Sequence, residues 1–188
     1  SGKSTLLSCI AKKYAGTPDV RIGYVPQENP LYDELKPVDN LRMWTNKRKS
    51  EILQALQAPP LAQLGIQTFL DTPVKNMSGG MKKRLSLACA LLDAPQILLM
   101  DEPFGHLDAQ TRYMMEEELQ RIWQKEKRTV VFVTNNIEEA LFLADRIILL
   151  TNCPTHIKKE YVINMPHPRD YVDPEFLRLR QLITDNMD

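Results

Sequence analysis

The chain has 188 residues, which is long enough for one domain with a sizeable core, and its 24 basic and 24 acidic residues give a formal net charge of zero. A balanced charge provides no strong field for nucleic acid or an anionic membrane surface, so neither is expected as a partner. No apolar run approaches the length of a membrane span, and we expect no secretory signal peptide. Three widely spaced cysteines do not suggest a disulfide framework and fit a reducing cytosol.

Segments with the periodicity of helices alternate with apolar segments of strand length. The predicted helices are residues 5–13, 39–44, 50–57, 80–92, 109–127, 137–144 and 174–186. The predicted strands are residues 21–25, 97–100, 129–134, 146–151 and 157–163. This alternation predicts an α/β fold with a parallel sheet and helices on both of its faces. After residue 151 four prolines punctuate the chain, which predicts a change of character in the C-terminal segment.

The first five residues, Ser1-Gly2-Lys3-Ser4-Thr5, fit the end of a phosphate-binding loop, G-x-x-x-x-G-K-[ST]. Backbone N–H groups at a helix N-terminus bind phosphate, aided by the helix dipole. Lys3 would neutralise the β- and γ-phosphates, and the Ser4 hydroxyl would ligate Mg²⁺. The alternative is a chance occurrence, since these residues lack the upstream glycine and the strand that precede such a loop.

An apolar run of strand length over residues 97–100 ends in two adjacent carboxylates, Asp101 and Glu102. Neighbouring side chains of a strand point to opposite faces, so the two carboxylates are expected to do different work. One could hold a metal ion while the other handles a proton or a water molecule. The alternative is a charged turn that merely ends a buried strand.

Ser78-Gly79-Gly80 precedes a predicted amphipathic helix. Two glycines let a ligand approach the backbone closely, and the serine at the helix N-terminus adds a hydroxyl group. An ordinary N-cap is the alternative interpretation of these three residues.

The order of these motifs resembles that of the ATP-binding subunit of ABC transporters over nearly the whole chain. In chain order the motifs are residues 2–5, Val25-Pro26-Gln27, residues 78–80, residues 98–103 and Gly105-His106-Leu107-Asp108. The resemblance implies a P-loop NTPase, with a parallel sheet flanked by helices and a helical signature subdomain at about residues 35–92. It implies an ATPase domain over residues 1–151 and a C-terminal extension of that domain over residues 152–188.

The N-terminal part departs from the family pattern. The chain begins inside the phosphate loop, and only 21 residues, 6–26, separate Thr5 from Gln27. We therefore expect the N-terminal strands and part of the antiparallel β subdomain to be missing from these 188 residues.

The resemblance also implies roles for individual residues. Asp101 matches the Walker B aspartate, Glu102 the catalytic carboxylate, and Gln27 the Q-loop glutamine that reaches Mg²⁺ and the attacking water. The implied catalytic residues are Glu102, Gln27, Asn135 and Asp108, the last matching the D-loop. The implied nucleotide-binding residues are Ser1, Gly2, Lys3, Ser4, Thr5, Ser78, Gly79 and Gly80, of which 78–80 close on the ATP of the opposite protomer. The implied metal ligands are Ser4, Gln27 and Asp101.

At position 135 the family has a switch histidine, and this chain has Asn135. An asparagine can hydrogen-bond a γ-phosphate oxygen, but it cannot carry a positive charge.

The function implied is ATP hydrolysis that powers a transporter, with ATP and Mg²⁺ as cofactors, at the cytoplasmic face of the cell membrane. The expected partners are a second ATPase subunit, transmembrane permease subunits and a solute-binding protein. Residues 23–28 and 77–86 are similar to exporter-type subunits. Residues 104–112, 137–140, 144–146 and 154–168 are similar to importers of the nitrate, sulfonate and taurine group, and the importer branch is favoured. The alternatives are a degenerate or regulatory nucleotide-binding subunit with little turnover, and a non-transport ABC ATPase of DNA repair or translation.

Overall fold

The computed structural model describes residues 2–14, 17, 20–126, 128–152 and 154–187. The helices are α1 (Lys3–Tyr14), α2 (Pro37–Arg42), α3 (Lys49–Ala55), α4 (Gly79–Leu91), α5 (Ala109–Glu126), α6 (Ile137–Leu143) and α7 (Pro174–Thr184). The strands are β1 (Ile22–Val25), β2 (Ile97–Asp101), β3 (Thr129–Val133), β4 (Arg146–Leu150) and β5 (Ile157–Val162). The chain divides into two units, one of Leu7–Val133 and one that combines Ser1–Leu6 with Thr134–Asp188.

A parallel sheet forms the centre of the Leu7–Val133 unit. Its strand order is β1-β2-β3, with Val25 opposite Met100 and Asp101 opposite Val133. Leu98, Leu99 and Met100 are fully buried, as expected for a central strand of a parallel sheet that is covered on both faces. The register brings the carboxyl ends of all three strands to one edge.

The segment between β1 and β2 is mainly helical, with a helix near each of the predicted ranges 39–44, 50–57 and 80–92. It contains α2, α3, α4 and three short 3₁₀ turns, Leu61–Leu64, Ile66–Phe69 and Val74–Asn76. Asn40 is fully buried and organises the entry to α2, because its side chain accepts from Tyr32 N (2.8 Å) and donates to Tyr32 O (3.1 Å). The 3₁₀ turns were not predicted, since runs of three or four residues are too short to show a helical period.

Helices α4 and α5 pack against each other in the same unit. In α5 the apolar residues Met115, Leu119 and Ile122 are buried, so the helix turns one apolar face to the core. Arg84 of α4 and Glu118 of α5 form a partly buried ion pair at 3.1 Å. Burial raises the pKa of Glu118, and the Arg84 charge opposes that shift.

In the other unit β4 pairs with β5 in an antiparallel two-stranded sheet. The sequence predicts both strands, but the simple alternation pattern suggested that the strand at residues 146–151 would extend the parallel sheet. The connection from β4 to β5 is only six residues long, and Thr151 N donates to His156 O (2.9 Å) across it. A connection this short suits a hairpin, whereas a parallel pair needs a crossover of a dozen residues or more.

Helices α6 and α7 pack together through aromatic side chains. Tyr171 stacks on Phe142 at 4.7 Å and meets the edge of Phe176 at 5.2 Å. Asp173 caps α7 by accepting from Glu175 N, and Pro174 occupies the first helical position as predicted.

Across the described residues, we find no helix that is long and apolar enough to cross a membrane.

Candidate functional site

Three predicted site residues lie together at the carboxyl edge of the parallel sheet. Gln27 follows β1 by two residues, Asp101 ends β2, and Glu102 comes directly after it. Gln27 Nε2 donates a hydrogen bond to Glu102 Oε2 at 3.1 Å, across 75 residues of sequence. The sheet register thus joins the expected Q-loop glutamine to the expected catalytic carboxylate.

Asp101 is 3% exposed, and its Oδ1 is buried without a hydrogen-bond partner. A buried carboxylate oxygen with no donor is costly unless a cation or a water molecule compensates it. Among the described residues no cluster of three His, Cys, Asp or Glu side chains could hold a metal ion. Mg²⁺ fits this arrangement, because it is usually bound by one or two protein ligands together with phosphate oxygens and waters.

Glu102 is held in a fixed conformation by its backbone. Its φ is +42°, its N–H donates to Val133 O (2.8 Å), and its carbonyl accepts from Gly105 N (3.0 Å). The strand therefore ends at Asp101, and Glu102 begins a turn. Asp101 is buried and Glu102 is half-buried. This difference has two causes, the alternation of side chains along the strand and the turn that begins at Glu102.

Gly105 makes room for the backbone carbonyl group of Glu102, a role that the sequence analysis did not assign. A Cβ on Gly105 would lie 3.3 Å from Glu102 O and 3.7 Å from Glu102 Oε2. Its place three residues after Glu102, in a turn closed by the Gly105 N–H, is the local signal that could have identified it.

Gly2, Lys3, Ser4 and Thr5 lie at the N-terminus of α1, in the smaller unit. Gly2 has φ of +73°, and its carbonyl accepts from Leu6 N (2.9 Å) in the first turn. No acidic residue is present in that turn, so its N–H groups keep the positive end of the helix dipole uncompensated. Ser1, also predicted to bind nucleotide, lies outside the described residues.

Residues 78–80, the predicted signature residues, lie at the N-terminus of α4. Ser78 is the N-cap and accepts from Met81 N at 3.3 Å, as predicted. Ser78 and Gly79 are exposed, so the first N–H groups of the helix are open to a ligand.

Asp108 directly precedes α5 and is its N-cap, since its Oδ1 accepts from Thr111 N at 3.0 Å. Hydrogen bonds from the backbone N–H and the side chain of Thr111 hold the pKa of Asp108 below its ordinary value. The carboxylate is therefore charged at neutral pH.

Asn135 is exposed and lies between β3 and α6 in chain order, in the smaller unit. The residues beside it form a local network. Thr134 Oγ1 donates to Glu139 Oε2 (2.7 Å) and accepts from Asn136 N (3.0 Å), and Asn136 Oδ1 accepts from Glu138 N (2.9 Å). The backbone on both sides of Asn135 is fixed by these bonds.

The structure thus brings together Gln27, Asp101 and Glu102, and it places the signature and Asp108 at the N-termini of two packed helices. Gly2–Thr5 and Asn135 belong to the other unit.

Comparison with known proteins gives a consistent family. A sequence model of the ABC transporter family matches residues 1–105. An uncharacterized ABC transporter ATP-binding protein of Methanocaldococcus jannaschii is 46% identical over 123 residues, which cover 65% of this chain and 46% of that protein. The aliphatic sulfonates import ATP-binding protein SsuB of Bacillus cereus is 33% identical over 195 residues, covering 97% of this chain and 77% of that protein.

The bicarbonate transport ATP-binding protein CmpD of Synechococcus elongatus is 42% identical over 130 residues, covering 66% of this chain and 47% of that protein. The chain spans about half the length of the Methanocaldococcus and Synechococcus relatives. Among solved structures, a dimeric post-hydrolysis state of the ATP-binding cassette MJ0796 bound to ADP and Pi matches with a TM-score of 0.67 and 22% identity, covering 88% of this chain and 82% of that chain. This likeness confirms the predicted α/β fold.

Proposed function

Because the chain belongs to the ABC transporter family, we propose that it is the ATP-hydrolysing subunit of a transporter. The observation that carries the proposal is the Gln27–Glu102 hydrogen bond beside the buried Asp101. Hydrolysis of a γ-phosphate requires a metal ion, a positioned water molecule and a group that polarises this water. The buried carboxylate would attract the metal ion, and the glutamine amide and the carboxylate in the turn would position and polarise the water.

The residues that would hold the nucleotide are those at the N-termini of α1 and α4. Gly2, Lys3, Ser4 and Thr5, with Ser1 before them, would bind the phosphates through N–H groups and the Lys3 ammonium. Mg²⁺ would be held by Ser4 directly, with Asp101 and Gln27 as its further partners. The ion would supply positive charge that neutralises the negative charge developing on the phosphate oxygens.

Glu102 would act as the general base, or as the carboxylate that polarises the attacking water. Its backbone hydrogen bonds to Val133 and Gly105 limit its movement, and the Gln27 amide orients one carboxylate oxygen. A fixed carboxylate loses little freedom on reaching the transition state. Asn135 would donate a neutral hydrogen bond to the γ-phosphate, and Asp108 would act from the D-loop.

The exposed N-terminus of α4 supports a second ATPase subunit as partner. Ser78 and Gly79 are exposed at this helix end, Gly80 is half-exposed, and the Ser78 hydroxyl accepts from Met81 N. We propose that they close on the nucleotide of the opposite protomer.

We place the protein at the cytoplasmic face of the cell membrane with permease subunits and a solute-binding protein. The relatives named for sulfonate import and bicarbonate transport support an importer of nitrate-, sulfonate- or taurine-like solutes. An ATPase domain over residues 1–151 with an extension over residues 152–188 is part of this proposal.

The test is Glu102→Gln in the protein assembled with its partner subunits. The amide keeps the shape of the side chain but cannot take a proton, so kcat should fall at least about a hundredfold while ATP affinity is retained. Glu160→Gln is the control, because Glu160 is an exposed carboxylate paired with Arg146 in the other unit. Unchanged turnover in Glu102→Gln would contradict the proposed role.

The second candidate is a regulatory subunit that binds nucleotide with little turnover. Asn135 favours it, since a neutral amide replaces a group that can be cationic. ATP binding with full affinity and negligible hydrolysis by the assembled wild-type protein would select this candidate.

A further inference from the structure

Thr111 lies between the signature turn, residues 78–80 at the start of α4, and the D-loop residue Asp108. A Cβ added to Gly80 would lie 2.9 Å from Thr111 Cγ2, closer than such atoms approach in proteins. The same residue donates its backbone N–H to Asp108 Oδ1 at 3.0 Å. One side chain therefore packs against the start of α4 while its backbone and hydroxyl hold the cap of α5.

The tight space at Gly80 comes from a single methyl group. Apart from Thr111 Cγ2, the next neighbour of a Cβ at this position is Ser78 Oγ at 4.0 Å, which is ordinary contact distance. Gly80 lies inside α4 and has no positive φ, so the backbone conformation itself accepts alanine. The Thr111 methyl group is thus the local reason for a glycine at position 80.

The turn that carries Asp108 is fixed to α4 at a second point. A Cβ on Gly79 would meet Leu107 Cδ2 at 3.3 Å, and Arg112 Nη2 donates to Leu107 O at 3.1 Å. Leu107 is buried. Residues 107–111 and the first turn of α4 therefore form one packed surface.

We propose that Thr111 is a positioning residue that fixes Asp108 and the signature turn in a single arrangement, with Gly80 small because of the Thr111 methyl group. The functional consequence rests on the proposed function above, in which both segments act on nucleotide. It predicts that the cost of a side chain at position 80 depends on residue 111 and not only on the room needed by a phosphate.

The experiment is a double-mutant cycle in the full protein. Gly80→Ala alone should lower Tm without nucleotide by about 2–6 °C, because an extra methyl group overpacks a tight contact. In the Thr111→Ser background, which removes the methyl group and keeps the hydroxyl, Gly80→Ala should leave Tm unchanged or raise it by about 1–3 °C, since alanine suits a helix better than glycine.

Two matched variants make the result specific. Thr111→Val keeps the methyl group and removes the hydroxyl, so Gly80→Ala should still lower Tm in that background. Gly79→Ala contacts Leu107 and not Thr111, so Thr111→Ser should not change its effect. Equal destabilisation by Gly80→Ala in all three backgrounds would overturn the proposal.

ATPase activity of the assembled protein is the second readout. Gly80→Ala should reduce kcat about tenfold, which corresponds to ~1.4 kcal/mol, and the same substitution in the Thr111→Ser background should reduce kcat by a clearly smaller factor. An equal fall in kcat in both backgrounds would show that Gly80 acts only through the approach of nucleotide and would overturn the positioning role. Absence of ATPase activity in the wild-type protein would contradict the proposed function only, because the Tm cycle is measured without nucleotide.

Discussion

Asp101 and Glu102 are neighbours in the chain, but they lie in different surroundings. Asp101 is 3% exposed with an unpartnered Oδ1, whereas Glu102 is half-buried and accepts a hydrogen bond from Gln27. A buried carboxylate with an empty acceptor is suited to a cation, and a carboxylate oriented by an amide is suited to a water molecule.

We predict that Asp101→Asn weakens binding of Mg·ATP by about 10- to 100-fold, the scale expected for loss of a partner in the outer coordination shell. Binding of metal-free ATP should not weaken, because the amide removes a negative charge that attracts the cation and repels the phosphates. Titration with ATP in the presence of Mg²⁺ and of a chelator measures both affinities. Asp71→Asn, an exposed partner of Lys36, is the control, and equal loss of both affinities would identify Asp101 as a structural carboxylate.

Position 135 supports a separate prediction about charge. The residues around Asn135 are fixed by the Thr134–Glu139 and Asn136–Glu138 hydrogen bonds, so a substitution there should change the chemistry of the side chain more than the loop. A charge-assisted hydrogen bond to phosphate is roughly twice as strong as a neutral one. Asn135→His should therefore raise kcat and introduce a pH dependence between about pH 6 and 8, with turnover rising as the imidazole becomes protonated.

Rates of wild-type and Asn135→His protein across that pH range decide the matter. Asn135→Gln is the matched control, because it lengthens the side chain without adding a titratable group. Identical rates and pH profiles for all three proteins would mean that position 135 does not sense the γ-phosphate.

At the residue scale, the sequence predicts which residues belong to the site better than it predicts their backbone conformation and contacts. The carboxylates at the end of a buried strand and the glutamine after β1 are recognisable from their places after apolar runs. The left-handed φ of Glu102 accompanies a hydrogen bond from its N–H to Val133 O of the neighbouring strand, and no local sequence pattern predicts that contact.

At the element scale, the C-terminal end of helix α6 is capped by the side chain of Arg169, which lies 25 residues after the C-cap residue Ala144. Arg169 Nη1 donates to Leu141 O (2.6 Å) and Ala144 O (2.8 Å), and the side chain is 1% exposed. The last carbonyl groups of a helix have no partner within the helix, so this guanidinium satisfies acceptors that would otherwise be buried and empty.

Arg169→Ala should lower the free energy of unfolding by about 2–3 kcal/mol, which corresponds to a fall in Tm of about 4–10 °C for a chain of this size. Thermal unfolding followed by circular dichroism measures the effect. The control is Arg178→Ala, which removes an exposed ion pair with Glu175 on α7 and should leave Tm nearly unchanged. Similar shifts for the two variants would contradict a capping role for Arg169.

Elements with capping residues and long apolar periods are those that the sequence predicts well. Ser78, Asp108 and Asp173 cap α4, α5 and α7 as helix starts, and the buried run of β2 is continuous. The pairing of β4 with β5 could not be predicted in the same way, because which sheet a strand joins is decided by hydrogen bonds to another segment.

At the scale of the whole molecule, the exposed N-terminus of α4 is the surface to which we expect a second protomer to bind. Gly79 and Ser78 are exposed there, and the helix dipole is positive at this end. A phosphate delivered by a second protomer would take the place of solvent at these N–H groups. Association should then depend on nucleotide and fail when a negative charge occupies the same position.

Gly79→Asp should abolish ATP-dependent dimers while the fold is retained. A carboxylate in the first turn of α4 interacts favourably with the helix dipole, so the helix itself is not weakened. It also competes for the N–H groups that a phosphate would use and repels the phosphate charge. The added Cβ would meet Leu107 Cδ2 at 3.3 Å, and this side chain can move by a few tenths of an ångström.

Sedimentation or light scattering with and without ATP measures the dimer. Glu102→Gln is present in the reference protein and in each variant to slow hydrolysis. Gly79→Asn is the isosteric neutral control and should retain part of the association, whereas dimers of Gly79→Asp with ATP at wild-type affinity would show that this helix end does not face the nucleotide.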